Sequence, residues 1–139
     1  LQVGRLTLSS WASSCGSTSR RVRATLIAVT ARLDSTMKLY DLQGKGRAGA
    51  RELNPGEAND IHWGKSFWIF EQLRQENPQF LADYFQLKRT LATPETVKQY
   101  DIHVTVALLS IAVKRDLFPW FAEHGIEADA AKSPIPLKW

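Results

Sequence analysis

From Asn77 to Gly125 the chain alternates helix-start signals with apolar stretches, and that rhythm leaves room for little except helices. Asn77 followed by Pro78 reads as an N-cap with proline at the first helical position, where its missing N–H is harmless. Phe80, Leu81, Tyr84, Phe85 and Leu91 carry the apolar stripe of that helix to about Thr90. Thr93-Pro94-Glu95 repeats the device, with Glu95 near the positive end of the helix dipole. Asp101 begins a fresh turn. Ile102 to Val113 is apolar nearly all round, the pattern of a central buried helix, with strand as the weaker alternative on its β-branched content. Asp116 caps a last short helix, Leu117 to His124. Gly125 then supplies the left-handed residue that ends it, and Ile126 can fold back against the last turn.

Upstream lies the densest aromatic stretch, Trp63, Phe67, Trp68 and Phe70, within a helix expected from about Glu57 or Asn59 to Glu76. Trp63, Phe67, Phe70 and Leu73 recur at intervals of four, three and three, which puts them on one face. Ile69 widens that face, and Trp68 lies off its centre, so the helix should be covered on more than one side. From Leu39 to Asn59, Gly44, Gly46, Gly49, Pro55 and Gly56 interrupt any regular element, although Leu39 to Gln43 suits a short strand or helix end. The tail, SPIPLKW, is expected to be extended or disordered. The fold class is therefore all-α, four or five packed helices with a loop-rich N-terminal segment. Its expected divisions are 1–36, an Arg/Ser-rich segment; 37–56, a Gly-rich loop; 57–126, the helical subdomain; and 127–139, the Pro-containing tail.

The net charge of +4 has one source. Residues 1–36 carry five arginines against Asp34 alone, whereas residues 37–139 hold thirteen basic and thirteen acidic side chains. The helical part is neutral and gives no basis for tracking phosphate backbones. A basic-arm binder of nucleic acid or membrane surfaces would depend wholly on residues 1–36. Three explanations of that segment compete: a transit peptide, a disordered basic arm, or sequence foreign to the native protein, as from a reading-frame artefact. Met37, the single methionine, stands at the composition change. Within the segment, Arg23 to Leu33 suits a short helix or strand. No apolar run approaches the ~18 residues that span a bilayer. The single cysteine, Cys15, has no local histidine partner, so neither an internal disulfide nor a catalytic thiol is expected.

Several motifs reduce to structural explanations. Gly44-Lys45-Gly46-Arg47-Ala48-Gly49 matches G-x-G-x-x-G, but no βαβ unit surrounds it and Pro55-Gly56 follow too soon for a full helix, so a surface loop is the better reading. Gly64-Lys65-Ser66 resembles the end of a P-loop only, inside an aromatic helix. His62, His103 and His124 form no i, i+4 pair, hence no H-E-x-x-H zinc helix. His62 reads as a surface residue, His103 as a hydrogen-bonded packing residue, and His124 as a partner of a helix C-terminus. Asp101, His103 and Ser110 do not have the spacing of a triad. Glu57 suits the first turn of a helix, and Glu71 suits pairing with Arg74 or Gln75.

Two stretches resemble the C-terminal part of enhancin-like zinc metallopeptidases of the gluzincin type. Gly56-Glu57-Ala58-Asn59-Asp60-Ile61 is similar to the context G-E-[VA]-[TN]-N-[ND]-I, in which the family's third zinc ligand lies. Tyr100 to Ile126 resembles the closing pattern through Asp101, Ser110, Arg115-Asp116-Leu117, Pro119-Trp120-Phe121 and His124-Gly125. The similarity covers about 55–126. It implies that Glu57 is a zinc ligand on a helix packed beneath the histidine helix, and that the substrate is a protein or glycoprotein. It leans toward secretion or the cell surface. Catalytic zinc needs three protein ligands and an open position for a water whose pKa falls to about 7.

The two histidines and the general-base glutamate should precede Glu57, yet residues 1–56 contain no histidine. Either the zinc motif lies in sequence outside this chain, or it was lost with the anomalous segment, or the homologue is inactive. The expectation is a helical C-terminal portion of a zinc-metallopeptidase-like protein, binding no zinc and cleaving nothing by itself. The alternative is a non-catalytic helical module whose exposed aromatics bind a partner protein. A subdomain cut from its neighbours would leave apolar surface uncovered and open to self-association.

Overall fold

The computed structural model describes Ala24, Ala28 and residues 30–139. The Arg/Ser-rich stretch of 1–23 and Cys15 lie outside the described residues. So do Arg23, 25–27 and Val29 of the Arg23 to Leu33 segment, although residues 30–36 are helical. Four α-helices follow: α1 (Pro55–Glu76), α2 (Phe80–Leu91), α3 (Ile102–Val113) and α4 (Phe118–Glu123), then a single 3-10 turn, Ala130–Lys132. The fold is all-α. Among the described residues there is no sheet, only an isolated antiparallel bridge between Tyr40 and Gly46. None of the described helices is long and apolar enough to cross a membrane. The described chain forms two compact units, residues 30–72 and 73–139, with α1 running through the boundary between them.

Along α1, Ile61, Trp68 and Ile69 are buried; of the face that the spacing suggests, Leu73 is buried and Phe70 partly covered, but Trp63 and Phe67 are not. Trp63 is 71% exposed and Phe67 38%. The reason is a rotation of about one residue. Burying Ile61 and Trp68 brings Gly64 between them inward as well, and this turns Trp63 and Phe67 outward. The off-centre Trp68 is fixed by a polar handle as well: its indole Nε1 donates to Asp34 Oδ1 at 2.7 Å, an acceptor shared with Gln72 Nε2 at 3.3 Å. Leu33, Met37, Tyr40 and Leu42 complete the apolar side of the first unit.

The second unit is organised by α3. Asp101 is its N-cap, with extended backbone and a carboxylate accepting from Val104 N at 3.1 Å. Val104, Val106, Ala107, Leu108, Leu109 and Ala112 are all buried, as an all-round apolar helix requires. The helix ends on Lys114 in the left-handed region (φ 60°), where Arg115 N bonds back to Ser110 O and Lys114 N to Ile111 O. This is a Schellman closure with lysine in the glycine position. The next closure uses the expected Gly125: Ile126 N donates to Phe121 O and Gly125 N to Ala122 O.

Three expected helix starts shift. Asn77-Pro78 is not the cap of α2; the cap position is Gln79, and Asn77 instead ties the corner together. Its Oδ1 accepts from Gln79 N at 2.9 Å, while Nδ2 donates to Asp83 Oδ2 at 3.0 Å and to Ala112 O at 2.8 Å. Thr93-Pro94-Glu95 makes one turn only, with Thr96 N and Val97 N on Thr93 O. Val97 is the one buried residue it offers, and the extended Asp101 that caps α3 comes only four residues later. Asp116 accepts from Phe118 N at 2.9 Å, but the residue in the cap position of α4 is Leu117. The SPIPLKW tail has no helix or strand, as its two prolines suggest, but Ile135 within it is buried; just before it, Asp129 caps the 3-10 turn.

Candidate functional site

Glu57, the residue singled out by resemblance, sits where the loop of residues 37–53 runs into α1. Asp41 organises that loop: its Oδ1 accepts from Gln43 N and Lys45 N, and its backbone carbonyl accepts from Gly44 N. Three consecutive amides, those of Gln43, Gly44 and Lys45 at the head of the Gly-rich run, are therefore turned onto Asp41, where no phosphate could take them. The Tyr40 hydroxyl donates to Arg51 O and fixes the far end of the loop.

The helix then begins with Asn54-Pro55-Gly56-Glu57. Asn54 Oδ1 accepts from Glu57 N at 2.9 Å, and Glu57 Oε2 accepts from Asn54 N at 3.2 Å. Ala58 N makes the first intrahelical bond, to Asn54 O. This is a reciprocal capping box with proline at the first helical position. Arg51 adds a bidentate pair, Nη1 to Glu57 Oε2 at 3.0 Å and Nη2 to Oε1 at 2.5 Å. The Arg51 hydrogen bond, followed by that from the Asn54 amide, holds the Glu57 carboxyl below its ordinary value, and the Arg51 guanidinium is raised in return.

Both oxygens of Glu57 are thus engaged. Among the described residues no group of three His, Cys, Asp or Glu side chains could hold a metal ion. Glu57 offers one ligand of the three that catalytic zinc requires, so the residues present do not form a zinc site.

The remaining candidates are directed to separate tasks. His62 is exposed and meets Trp63 edge-on, ring centroids 5.0 Å apart. His103 Nδ1 accepts from Asp129 N at 2.9 Å. His124 Nδ1 lies 2.8 Å from Trp120 O, and its ring lies 4.4 Å from that of Trp120. Ser110, fully buried, donates to Val106 O at 2.7 Å and accepts from Leu117 N at 3.0 Å. Asp101, His103 and Ser110 therefore share α3 without converging on one another.

One feature escaped the sequence reading. A cleft of about 270 Å³ lies between the loop and the outer face of α1 in the first unit, lined by Leu42, Leu53, Ala58, Ile61, His62 and Lys65. The α1 residues in it follow an i, i+3, i+4, i+7 spacing, which was legible; the loop that supplies the opposite wall was not. No protein-family model, curated protein or solved structure matches this chain.

Proposed function

We propose that the chain is the helical C-terminal portion of a zinc-metallopeptidase-like protein, without peptidase activity by itself. What supports this reading is that the residues carrying the resemblance over Tyr100 to Ile126 are the ones that build a single locked unit. Asp101 starts α3, Ser110 joins α3 to the chain entering α4, Asp116 bonds the first amide of α4, and Gly125 closes it. Such residues are demanded by a particular helix arrangement and not by surface chemistry.

On this reading Glu57 is the third zinc ligand of a complete protein whose histidine helix is not part of this chain. Glu57 would hold such a metal through its carboxylate, which Arg51 and Asn54 fix at the head of α1 in this chain. Zinc, when bound there, supplies a water of lowered pKa; this chain contributes one ligand and the helices that steady it. Incubated with zinc and a fluorogenic peptide library, the chain should give no turnover that a chelator removes. Chelator-sensitive cleavage would refute inactivity, and a parent gene without an H-E-x-x-H helix upstream of Glu57 would count against the family reading.

The exposed pair Trp63 and Phe67, one helical turn apart on α1, favours a second reading, a non-catalytic helical interaction module. Its first consequence is self-association. Sedimentation should show a concentration-dependent mass that Trp63→Ser with Phe67→Ser abolishes; a clean monomer at high concentration would end that reading.

A further inference from the structure

We infer that the cleft between the 37–53 loop and α1 binds a small monocarboxylate with a short apolar tail. Its walls are mixed: Leu42 and Leu53 from the loop and Ala58 and Ile61 from the helix supply the apolar part, and Gln43, His62 and Lys65 the polar part. Its cationic side is Lys65, one helical turn from His62. Lys65 is half-buried and has neither an ion pair nor a hydrogen bond among the described residues, unlike Arg32, Arg51 and Arg115, each of which holds a carboxylate. An ammonium partly withdrawn from water without an anion is unfavourable, and a carboxylate arriving with the ligand would relieve it.

Size and polarity narrow the ligand class. The volume falls below the usual range for drug-sized ligands, roughly 300–1,000 Å³, which selects a chain of a few carbons. Phosphoryl groups are disfavoured, because the loop amides that would cradle them are held by Asp41. The Gln43 side chain, also at the cleft, offers an amide donor for the second carboxylate oxygen. Glu57 lines no part of it, so the inference stands independently of the metallopeptidase reading.

Hexanoate titrated into the ¹⁵N-labelled full chain should shift the amides of Leu42, Ile61, His62 and Lys65 saturably, with Kd on the order of 1 mM. Lys65→Gln removes the cation without breaking any protein contact and should weaken binding about tenfold. Hexanol should bind weakly by a similar factor, and Ala58→Phe, at an exposed helical position, should fill the cleft and abolish the shifts. Shifts that fail to saturate or scatter over the surface would overturn the inference. So would hexanol binding as tightly as hexanoate, or Lys65→Gln leaving Kd unchanged.

Discussion

Ser110→Ala isolates the bond that joins α3 to the chain entering α4. Ser110 and Leu117 are both fully buried, and the serine hydroxyl is the acceptor for Leu117 N at 3.0 Å. Removing it strands a buried N–H, which costs about 1–3 kcal/mol. The lost donation to Val106 O matters less, since that carbonyl also lies in the α-helical ladder of α3. Alanine recovers about 0.5 kcal/mol through its higher helix propensity. The net expected loss is about 0.5–2.5 kcal/mol, measured as a lower urea midpoint at unchanged m-value. At roughly 4 °C per kcal/mol for a chain of this length, the melting temperature should fall by about 2–10 °C. Hydrogen exchange gives the local readout: protection of the Leu117 amide should drop more than that of the α3 interior. Unchanged stability together with unchanged Leu117 exchange would refute the account, since it would mean the amide has another acceptor.

The Lys114 closure predicts the opposite sign: Lys114→Gly relieves a left-handed lysine and should stabilise by about 0.5–1 kcal/mol in urea unfolding. Asn77→Ala releases Ala112 O, Asp83 and Gln79 N together and should cost about 1–3 kcal/mol, and Asn77→Asp, which sets a carboxylate against Asp83 and Ala112 O, should cost at least as much in urea unfolding. Glu57 predicts an acid limb. Its folded pKa is depressed, so the folded state holds fewer protons than the unfolded state near pH 4; its stabilisation is present above the ordinary value of 4.5 and is lost as pH falls through the lower folded value. Acid unfolding of Glu57→Gln should therefore be flatter below pH 4.5 than that of the parent, and parallel curves would contradict the Arg51 pairing. Tyr84 predicts an alkaline limb: burial first, then its 2.5 Å bond to the Tyr100 hydroxyl, raises its pKa above the ordinary 10.0, so its stabilisation is present below pH 10 and is lost as pH rises.

How much of this was legible depended on whether a residue's task was local. Asp101 and Gly125 act within a few residues of themselves, and their positions at the start of α3 and the end of α4 follow from sequence alone. Asn77 looked equally local, but its amide serves Ala112, thirty-five residues away, and a side chain so engaged leaves the helix to start at Gln79. Thr93 has the right first three residues, but the extended cap of α3 at Asp101 leaves no length for further turns. The face of α1 was misjudged because periodicity gives the spacing of a stripe but not its phase. The phase goes with Ile61 and Trp68, the latter tied to Asp34, a partner thirty-four residues away that no local spacing reveals.

Glu57 shows why a short pattern and a chemical role are easily conflated. A carboxylate three residues after an asparagine, with proline between them, is already explained by the capping box it forms. The sequence contained that signal in Asn54-Pro55-Gly56-Glu57, and it would have been found by counting back three positions from the acid. A ligand role makes a further demand, that the carboxylate leave Arg51 when metal arrives, and this separates the two explanations experimentally. If Glu57 is only a cap, Arg51→Ala weakens stability and changes nothing else. If it is also a ligand within the complete protein, the same substitution frees its carboxylate and should tighten zinc binding there while it destabilises this chain alone.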